Sequence, residues 1–316
     1  MSWNSLFSRL NLFQKTALLT IGVTFLLIFI GGLVRATGAG LGCPDWPKCF
    51  GLWIPPMTAA DLPSGYDHES FNVFKTWMEY VNRLFGVLVG FLILMSFIFS
   101  LKYITRSPSV FLGAAAALIL VLFQGWLGGQ VVLGGLEGWM ITVHMVTALI
   151  ILMVLVWTFF RSVRDRIRYA MDPGIRRKLI SVLMLLLLAM LVQVVLGTQV
   201  REGLEAVKAG YPLLDRGEWI DQVGLVDTIH RSFSWVTLIM ALVFFYLVRQ
   251  HQLGPFLPLL AMLTLTGILL QVVVGIGLVY LDILPAFQVI HLWIAAFVTV
   301  VPFLALLFVM NGRKGI

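Results

Sequence analysis

The sequence predicts an all-α membrane protein of eight transmembrane helices, built as two pseudo-repeated four-helix bundles. Hydrophobic residues make up 60% of the 316 positions and charged residues only 12%, about half the charged fraction of a soluble domain. Eight apolar runs are long enough to cross a hydrocarbon core of about 30 Å. The chain also aligns with itself, which predicts a repeated architecture.

The eight predicted spans are separated by polar connections of very different length. The first is too long for a removable signal peptide and lacks a small-residue cleavage site, so we expect it to remain as a helix. The spans lie near 16–35, 84–101, 110–133, 140–160, 179–200, 232–248, 255–280 and 286–310.

Charge predicts the orientation of the chain. The net charge of +7 would suit nucleic acid, but the basic residues mark the ends of spans and not one soluble face, so we expect no nucleic-acid partner. Fourteen of the 22 Lys and Arg, but two of the 15 acidic residues, fall in the amino terminus, the carboxyl terminus and the connections 101–109, 161–178 and 249–254. By the positive-inside rule, we predict a multi-pass protein of the cell membrane with both termini in the cytoplasm.

Both cysteines lie in the connection 36–76, which this topology places outside the cytoplasm. An oxidising compartment permits a disulfide, and we favour a structural disulfide between Cys43 and Cys49 in GCPDWPKC. A redox-active pair is the alternative. A zinc site is disfavoured because no histidine lies nearby.

The internal repeat relates residues about 147 to 166 positions apart. GGLVR (31–35) matches GTQVR (197–201), and MEYVNRLFG (78–86) matches VDTIHRSFS (226–234). The spacing of Gln124, Gly128 and His144 also equals that of Gln271, Gly275 and His291. Since four helices per half is an even number, the repeat is parallel. We predict an amino-terminal half, 1–165, which carries the connection 36–76, here called the cysteine loop, and a carboxyl-terminal half, 166–316.

Three histidines lie within even-numbered spans or at their outer ends, all near the predicted outer face: His144, His230 and His291. Ionisable groups in spans are costly and usually functional. His230 and His291 lie on two helices of one half, as the axial ligands of a six-coordinate haem iron require; two histidines that only hydrogen-bond across helices are the alternative. In the first half, the position matching His230 holds Asn82, a poor iron ligand. The pattern predicts a fixed haem in the second half and a changeable ligand, such as a substrate, on His144.

Charged residues surround both predicted sites. Four arginines at outer helix ends could pair with haem propionates, or else extend to lipid phosphates: Arg35, Arg83, Arg201 and Arg231. Glu79 precedes Asn82 by three positions and so shares its helix face. Its carboxylate could relay protons in an oxidation, or could simply pair with an arginine.

These motifs resemble those of the haem A synthases. The resemblance rests on GGLVRATGAGLGCPDWPKCFG (31–51), the ExxxR of MEYVNRLFG, DTIHRSF (227–233) and QVIHLW (288–293). It implies that the chain oxidises the ring methyl of haem O to a formyl group by successive hydroxylations, for cytochrome oxidase. His230 and His291 would ligate the iron of haem b, His144 would face the substrate haem, Glu79 would be the catalytic acid, and Cys43 and Cys49 would form the loop disulfide. A quinol electron donor and contact with haem O synthase are further expectations.

One departure from the family pattern concerns the first half. The usual EYxHR motif reads EYVNR here, so Asn82 replaces the first of four expected histidines. Either the substrate needs only His144, which we favour, or the site works differently, or activity is lost. A non-catalytic haem protein, such as a haem carrier or a b-type cytochrome, is the competing function. A transporter without haem is a third, although its polar groups would be expected at the membrane midplane.

Overall fold

The computed structural model describes residues 10–167, 169–251, 253–254 and 256–314. Within these residues, eight helices are long and apolar enough to cross a membrane, which confirms the predicted spans. They are α1 (Leu12–Ala36), α2 (Val73–Ser100), α3 (Pro108–Leu133), α4 (Gly138–Val163), α5 (Pro173–Gly210), α6 (Leu225–Gln250), α7 (Leu257–Tyr280) and α8 (Pro285–Asn311).

Two helices extend furthest beyond their predicted spans. α2 begins at Val73, where the Asn72 side chain accepts a hydrogen bond from the backbone N–H of Lys75. α5 continues to Gly210 and has 38 residues, a length of about 57 Å at ~1.5 Å per residue. Hydropathy detects only the segment that lipid surrounds, so it missed the polar turns at these two ends.

The helices pack as two rings of four. In each ring, every helix contacts the next one along the chain, and the fourth helix returns to the first. The rings meet where α8 packs against α1 and α4, and where α4 packs against α5. α8 is the most buried of the eight described spans. This arrangement is consistent with two pseudo-repeated bundles.

The turn after the third helix of each ring has the same form. Leu136 and Ile283 both have positive φ, at 67° and 52°. Their backbone N–H groups donate to Val131 O and Leu278 O over 2.9 and 3.0 Å. The matching turns bring the N-termini of α4 and α8, with their histidines, to the same end of the molecule.

The connection between the rings wraps the end of α8. Arg176 donates to Val309 O and Met310 O, carbonyls of the last helical turn. Residues Ala170–Met171 also pair in parallel with Arg313–Lys314. We call this end the linker face, and the end that carries residues 37–72 and the N-termini of α2, α4, α6 and α8 the disulfide face.

Candidate functional site

Four matching positions on the even-numbered helices each face a glycine on the preceding helix. A Cβ atom built on that glycine would contact the facing side chain in every case, tightly beside His144 and His230 and at an ordinary van der Waals distance beside Asn82 and His291. The pairs are Gly31 with Asn82 Oδ1 (3.7 Å), Gly128 with His144 Cε1 (3.3 Å), Gly197 with His230 Cε1 (3.2 Å) and Gly275 with His291 Cε1 (3.4 Å).

A glutamine four residues before the glycine bonds to the helix that carries the histidine. In three places its Nε2 donates to the backbone carbonyl of the facing histidine: Gln124 to His144 (3.0 Å), Gln193 to His230 (2.9 Å) and Gln271 to His291 (2.9 Å). We call each set a glutamine–glycine–histidine unit. At the fourth place the corresponding residues are Leu27, Gly31 and Asn82, so both the glutamine and the histidine are replaced.

The second ring brings two of these histidines together. The ring centroids of His230 and His291 are 6.4 Å apart, with the ring planes at 66°. Metal–imidazole bonds of about 2 Å, with each ring centre roughly 1 Å behind its nitrogen, put two axial imidazoles about 6 Å apart. The separation therefore fits one metal atom between the two rings.

Two imidazoles alone are an incomplete set of ligands for a bare metal ion. Among the described residues no group of three or more His, Cys, Asp or Glu could hold a metal ion. Two imidazoles need the remaining ligands from elsewhere, and a haem supplies them from its own macrocycle.

Buried polar atoms without partners cluster at these units. Most buried polar atoms in proteins are hydrogen-bonded, yet six in the three units have no hydrogen-bond partner among the described residues. They are Nδ1 of His144, His230 and His291, and Oε1 of Gln124, Gln193 and Gln271. Asn82 Oδ1 is buried and unpaired in the same way.

The predicted disulfide is present. Cys43 and Cys49 are bonded, with their Cα atoms 4.8 Å apart, and both are fully buried. The backbone N–H of Cys43 donates to Glu79 Oε2 over 2.8 Å, and Thr76 Oγ1 donates to Gly42 O over 2.9 Å. The first turns of α2 therefore hold the cysteine loop by specific bonds.

Arg83 completes this attachment. Its guanidinium pairs with Glu79 and donates to Asp45 O (2.8 Å), Lys48 O (2.7 Å) and Cys43 O (3.3 Å). Glu79 and Arg83 thus bind the loop, whatever else they do in the first ring.

The matching pair in the second ring is built differently. Arg231 Nη2 lies 2.5 Å from Asp227 Oδ2, but the Arg231 side chain is 52% exposed, against 14% for Arg83. The wrapping of Arg83 by loop carbonyls accounts for the difference.

The two remaining predicted arginines, Arg35 and Arg201, also differ. Arg35 Nη2 lies 3.4 Å from Glu205 on the α5 extension, so it links the two rings. Arg201 Nε and Nη1 are buried, with no hydrogen-bond partner among the described residues. Because a buried guanidinium without an acceptor is costly, Arg201 suits an anionic ligand such as a carboxylate.

The cysteine loop also reaches α3. A Cβ built on Gly129 would lie 2.8 Å from Cδ2 of Trp46, and one built on Gly40 would lie 3.3 Å from Cδ1 of Leu136. The loop therefore covers α3 and the turn after it at the disulfide face, beside His144.

Sequence reasoning missed two contributors. Gln193 forms the third unit, and its position four residues before Gly197 matches the Gln124 and Gln271 spacing that was recognised. Glu205 pairs with Arg35, but nothing in the local sequence indicates this contact between rings.

Comparison with known proteins agrees with this architecture. A chain from Shouchella clausii called Heme A synthase is 26% identical over 82% of this chain and 84% of its own length. One of the same name from Nitrosomonas eutropha is 25% identical over 87% of each chain. A third Heme A synthase, from Shewanella oneidensis, is 26% identical over 70% of this chain and 68% of its own.

The sequence model of the family described as cytochrome oxidase assembly protein (COX15-CtaA) matches residues 14–302. This match takes in α2 to α7 entirely, most of α1 and α8, and all four facing positions. The chain belongs to the cytochrome oxidase assembly protein family.

Proposed function

We infer that this chain is a haem A synthase, a membrane oxidoreductase that oxidises the ring methyl of haem O to a formyl group. Family membership and the relatives called Heme A synthase support this inference. The observation that carries it is the asymmetry of the rings: the second has two histidines at facing positions, and the first has one, opposite Asn82.

We propose haem b as the resident cofactor of the second ring. His230 and His291 would ligate its iron, Arg201 would bind a propionate, and Arg231 would lie at the exposed edge. When bound, this haem supplies a one-electron redox centre. The chain's own contribution is to hold the two imidazoles at a fixed separation between α6 and α8.

We propose that the substrate haem O binds in the first ring. His144 would bind its iron, while the amide of Asn82 leaves the opposite position without a strong ligand. A haem held by one protein ligand can exchange more readily than one held by two. This suits a site that must take up substrate and release product. Arg35 lies at the same end of the ring and is proposed to bind the substrate.

Glu79 is proposed to handle protons during the oxidation, as the resemblance implies. Its carboxylate is buried against Arg83 and the Cys43 N–H. Arg83 is proposed to support the substrate site through the cysteine loop, because its guanidinium is bonded to that loop.

The proposed orientation puts the disulfide face outside the cytoplasm and both termini inside, with the boundary between halves at 165/166. Basic residues are concentrated at the linker face, as the positive-inside rule requires. We propose three partners: a quinol as electron donor, a haem O synthase that delivers the substrate, and cytochrome oxidase assembly factors that receive the product. Protease protection of terminal tags in oriented vesicles tests the topology, and cleavage from the outer side would overturn it.

The activity is tested by producing the chain together with a haem O synthase, purifying it and identifying the extracted haems by chromatography and mass. Haem A, or its hydroxylated precursors, is expected beside haem B. His144→Ala should abolish haem A and retain haem B, whereas His230→Ala should lose the low-spin haem. Haem B with unreacted haem O in the native chain would instead support the non-catalytic haem protein, which the relatives' names do not favour.

A further inference from the structure

The three glutamine–glycine–histidine units share an unmet hydrogen bond. In each unit the histidine Nδ1 and the glutamine Oε1 are both buried, and neither has a partner among the described residues. A glutamine Oε1 can only accept, and an imidazole nitrogen that carries the proton can only donate. With the proton on Nδ1, as ligation of a metal through Nε2 requires, each unit has one donor and one acceptor of complementary type.

In each unit the glutamine and the histidine are already hydrogen-bonded through other atoms. A Cβ built on Gly128, Gly197 or Gly275 would lie nearest to Cε1 of the facing ring and next to Nδ1, at 3.8–3.9 Å. At Gly128 and Gly275 the Cε1–Nδ1 edge thus faces the helix that carries the glutamine. At Gly197 the Cε1 of His230 points at the glycine, with Nδ1 at 3.8 Å and Nε2 at 3.9 Å on either side. The glutamine lies one turn away on the same helix face, and its Nε2 already bonds to the carbonyl of the same histidine.

A metal-bound imidazole needs an acceptor for the N–H of its second nitrogen. An imidazole that binds a metal through one nitrogen ordinarily donates the N–H of the other to a protein acceptor, which fixes the tautomer and makes the ligand more electron-donating. In these units, the glutamine Oε1 is the nearby acceptor that lacks a donor.

We propose that Gln193 and Gln271 are positioning residues that accept the Nδ1–H of His230 and His291 when haem is bound, and that Gln124 does so for His144. Each glutamine bridges the backbone carbonyl and the ring of one histidine. It thereby holds the proton on Nδ1 and leaves Nε2 free for iron. The proposal rests on the haem sites proposed above, but it concerns residues that the resemblance does not assign.

The fourth position provides an internal comparison. Where Asn82 replaces the histidine, Leu27 replaces the glutamine, while Gly31 is retained. A glutamine that served only to join neighbouring helices would be equally useful there. Its replacement together with the histidine is what a role specific to the ligand predicts.

The test uses Gln193→Met and Gln271→Met in the full-length haem-loaded protein. Methionine fills a similar volume without an acceptor of comparable strength. The readouts are the electron paramagnetic resonance signal of the low-spin ferric haem and its midpoint potential, followed through that signal. We expect an upward shift in potential and altered g values, because a less electron-donating imidazole stabilises ferric iron less. Gln193→Glu, which supplies a carboxylate acceptor, should shift the potential downward.

Gln14→Met is the matched control. Gln14 is buried at the linker face, and its Nε2 donates to the backbone carbonyl of Ser162 over 2.9 Å, the same kind of bond away from the histidines. Its loss should leave the haem signal unchanged.

The outcomes separate this proposal from the proposed function. A low-spin haem whose potential and g values do not change in the Met variants would overturn the positioning role alone. If the Met variants bind too little haem to measure, Gln193→Glu decides, and an unchanged or raised potential contradicts the proposal. Native protein without any low-spin haem would overturn the haem b assignment and this proposal with it.

Discussion

Glu79 and Arg83 form an ion pair one helical turn apart on α2, and both side chains are also bonded to the loop closed by Cys43 and Cys49. Arg83 reaches two further loop carbonyls, at Asp45 and Lys48. Glu79, to which the resemblance assigns acid chemistry, and Arg83, whose position at a helix end suggested propionate binding, therefore also hold the cysteine loop over the first ring.

Arg83→Met should expose the disulfide. Each lost hydrogen bond contributes about 1 kcal/mol, and about 1.4 kcal/mol corresponds to a tenfold change. We therefore expect the Cys43–Cys49 bond to be reduced at least about ten times faster by a membrane-impermeant phosphine, measured by thiol labelling in vesicles.

Arg231→Met is the control for that experiment, because Arg231 pairs with an acid at the matching position of the other ring. It should leave the reduction rate unchanged.

Removing Arg83 also leaves Glu79 buried without its cation, at a cost of about 3–5 kcal/mol. Glu79→Gln combined with Arg83→Met should therefore be less destabilised than Arg83→Met alone, and equal destabilisation would contradict the ion-pair account.

Gly275→Val should displace the His291 ring and reduce the haem b content of the purified protein severalfold. A Cβ alone would already be in van der Waals contact with His291 Cε1, at 3.4 Å, so the methyl groups that valine adds would crowd the ring. Gly128→Val applies the same change beside His144, where the contact would be 3.3 Å. There we expect haem b to remain and haem A formation to fall. Equal loss of haem b in both variants would show that the two sites are not independent.

Leu27→Gln combined with Asn82→His should rebuild a fourth glutamine–glycine–histidine unit around Gly31. The first-ring haem would then have two axial histidines. A second low-spin electron paramagnetic resonance signal is expected, with slower haem A formation because the substrate iron is fully ligated. Asn82→His alone lacks the acceptor at position 27 and should give a weaker or altered signal. Faster haem A formation in the double variant would show that the native Asn82 limits turnover.

Arg201→Met should weaken haem b retention. The Arg201 guanidinium is buried and has two nitrogens without partners among the described residues, and a hydrogen bond to a charged group contributes about 1.5–3 kcal/mol. Transfer of haem to an acceptor protein should accelerate by about tenfold or more. Arg201→Lys keeps the charge but not the planar fork, so an intermediate rate is expected. Arg35→Met removes the pair with Glu205 and should leave haem b transfer unchanged.

Much of the fold was predictable because apolar side chains are more stable in lipid than in water, and this preference can be calculated from the sequence of each segment alone. Apolar runs identify the spans whatever their neighbours are, and the spacing of residues such as His144 and His291 after a glycine shows the repeat. The polar turns of α2 before residue 84, and of α5 after Arg201, fell outside that reasoning because paired polar residues continue a helix without an apolar signal.

The sequence by itself determined the eight spans, the histidines at one depth, the single missing histidine at Asn82 and the cysteine pair. The tertiary structure alone decided that Arg83 turns toward the cysteine loop, that Arg35 joins Glu205 across the rings, and that Gln193 meets the carbonyl of His230. The reason is physical. Hydropathy and spacing along one helix are local properties, whereas the partner of a buried polar atom depends on which neighbouring helix lies within about 3 Å of it.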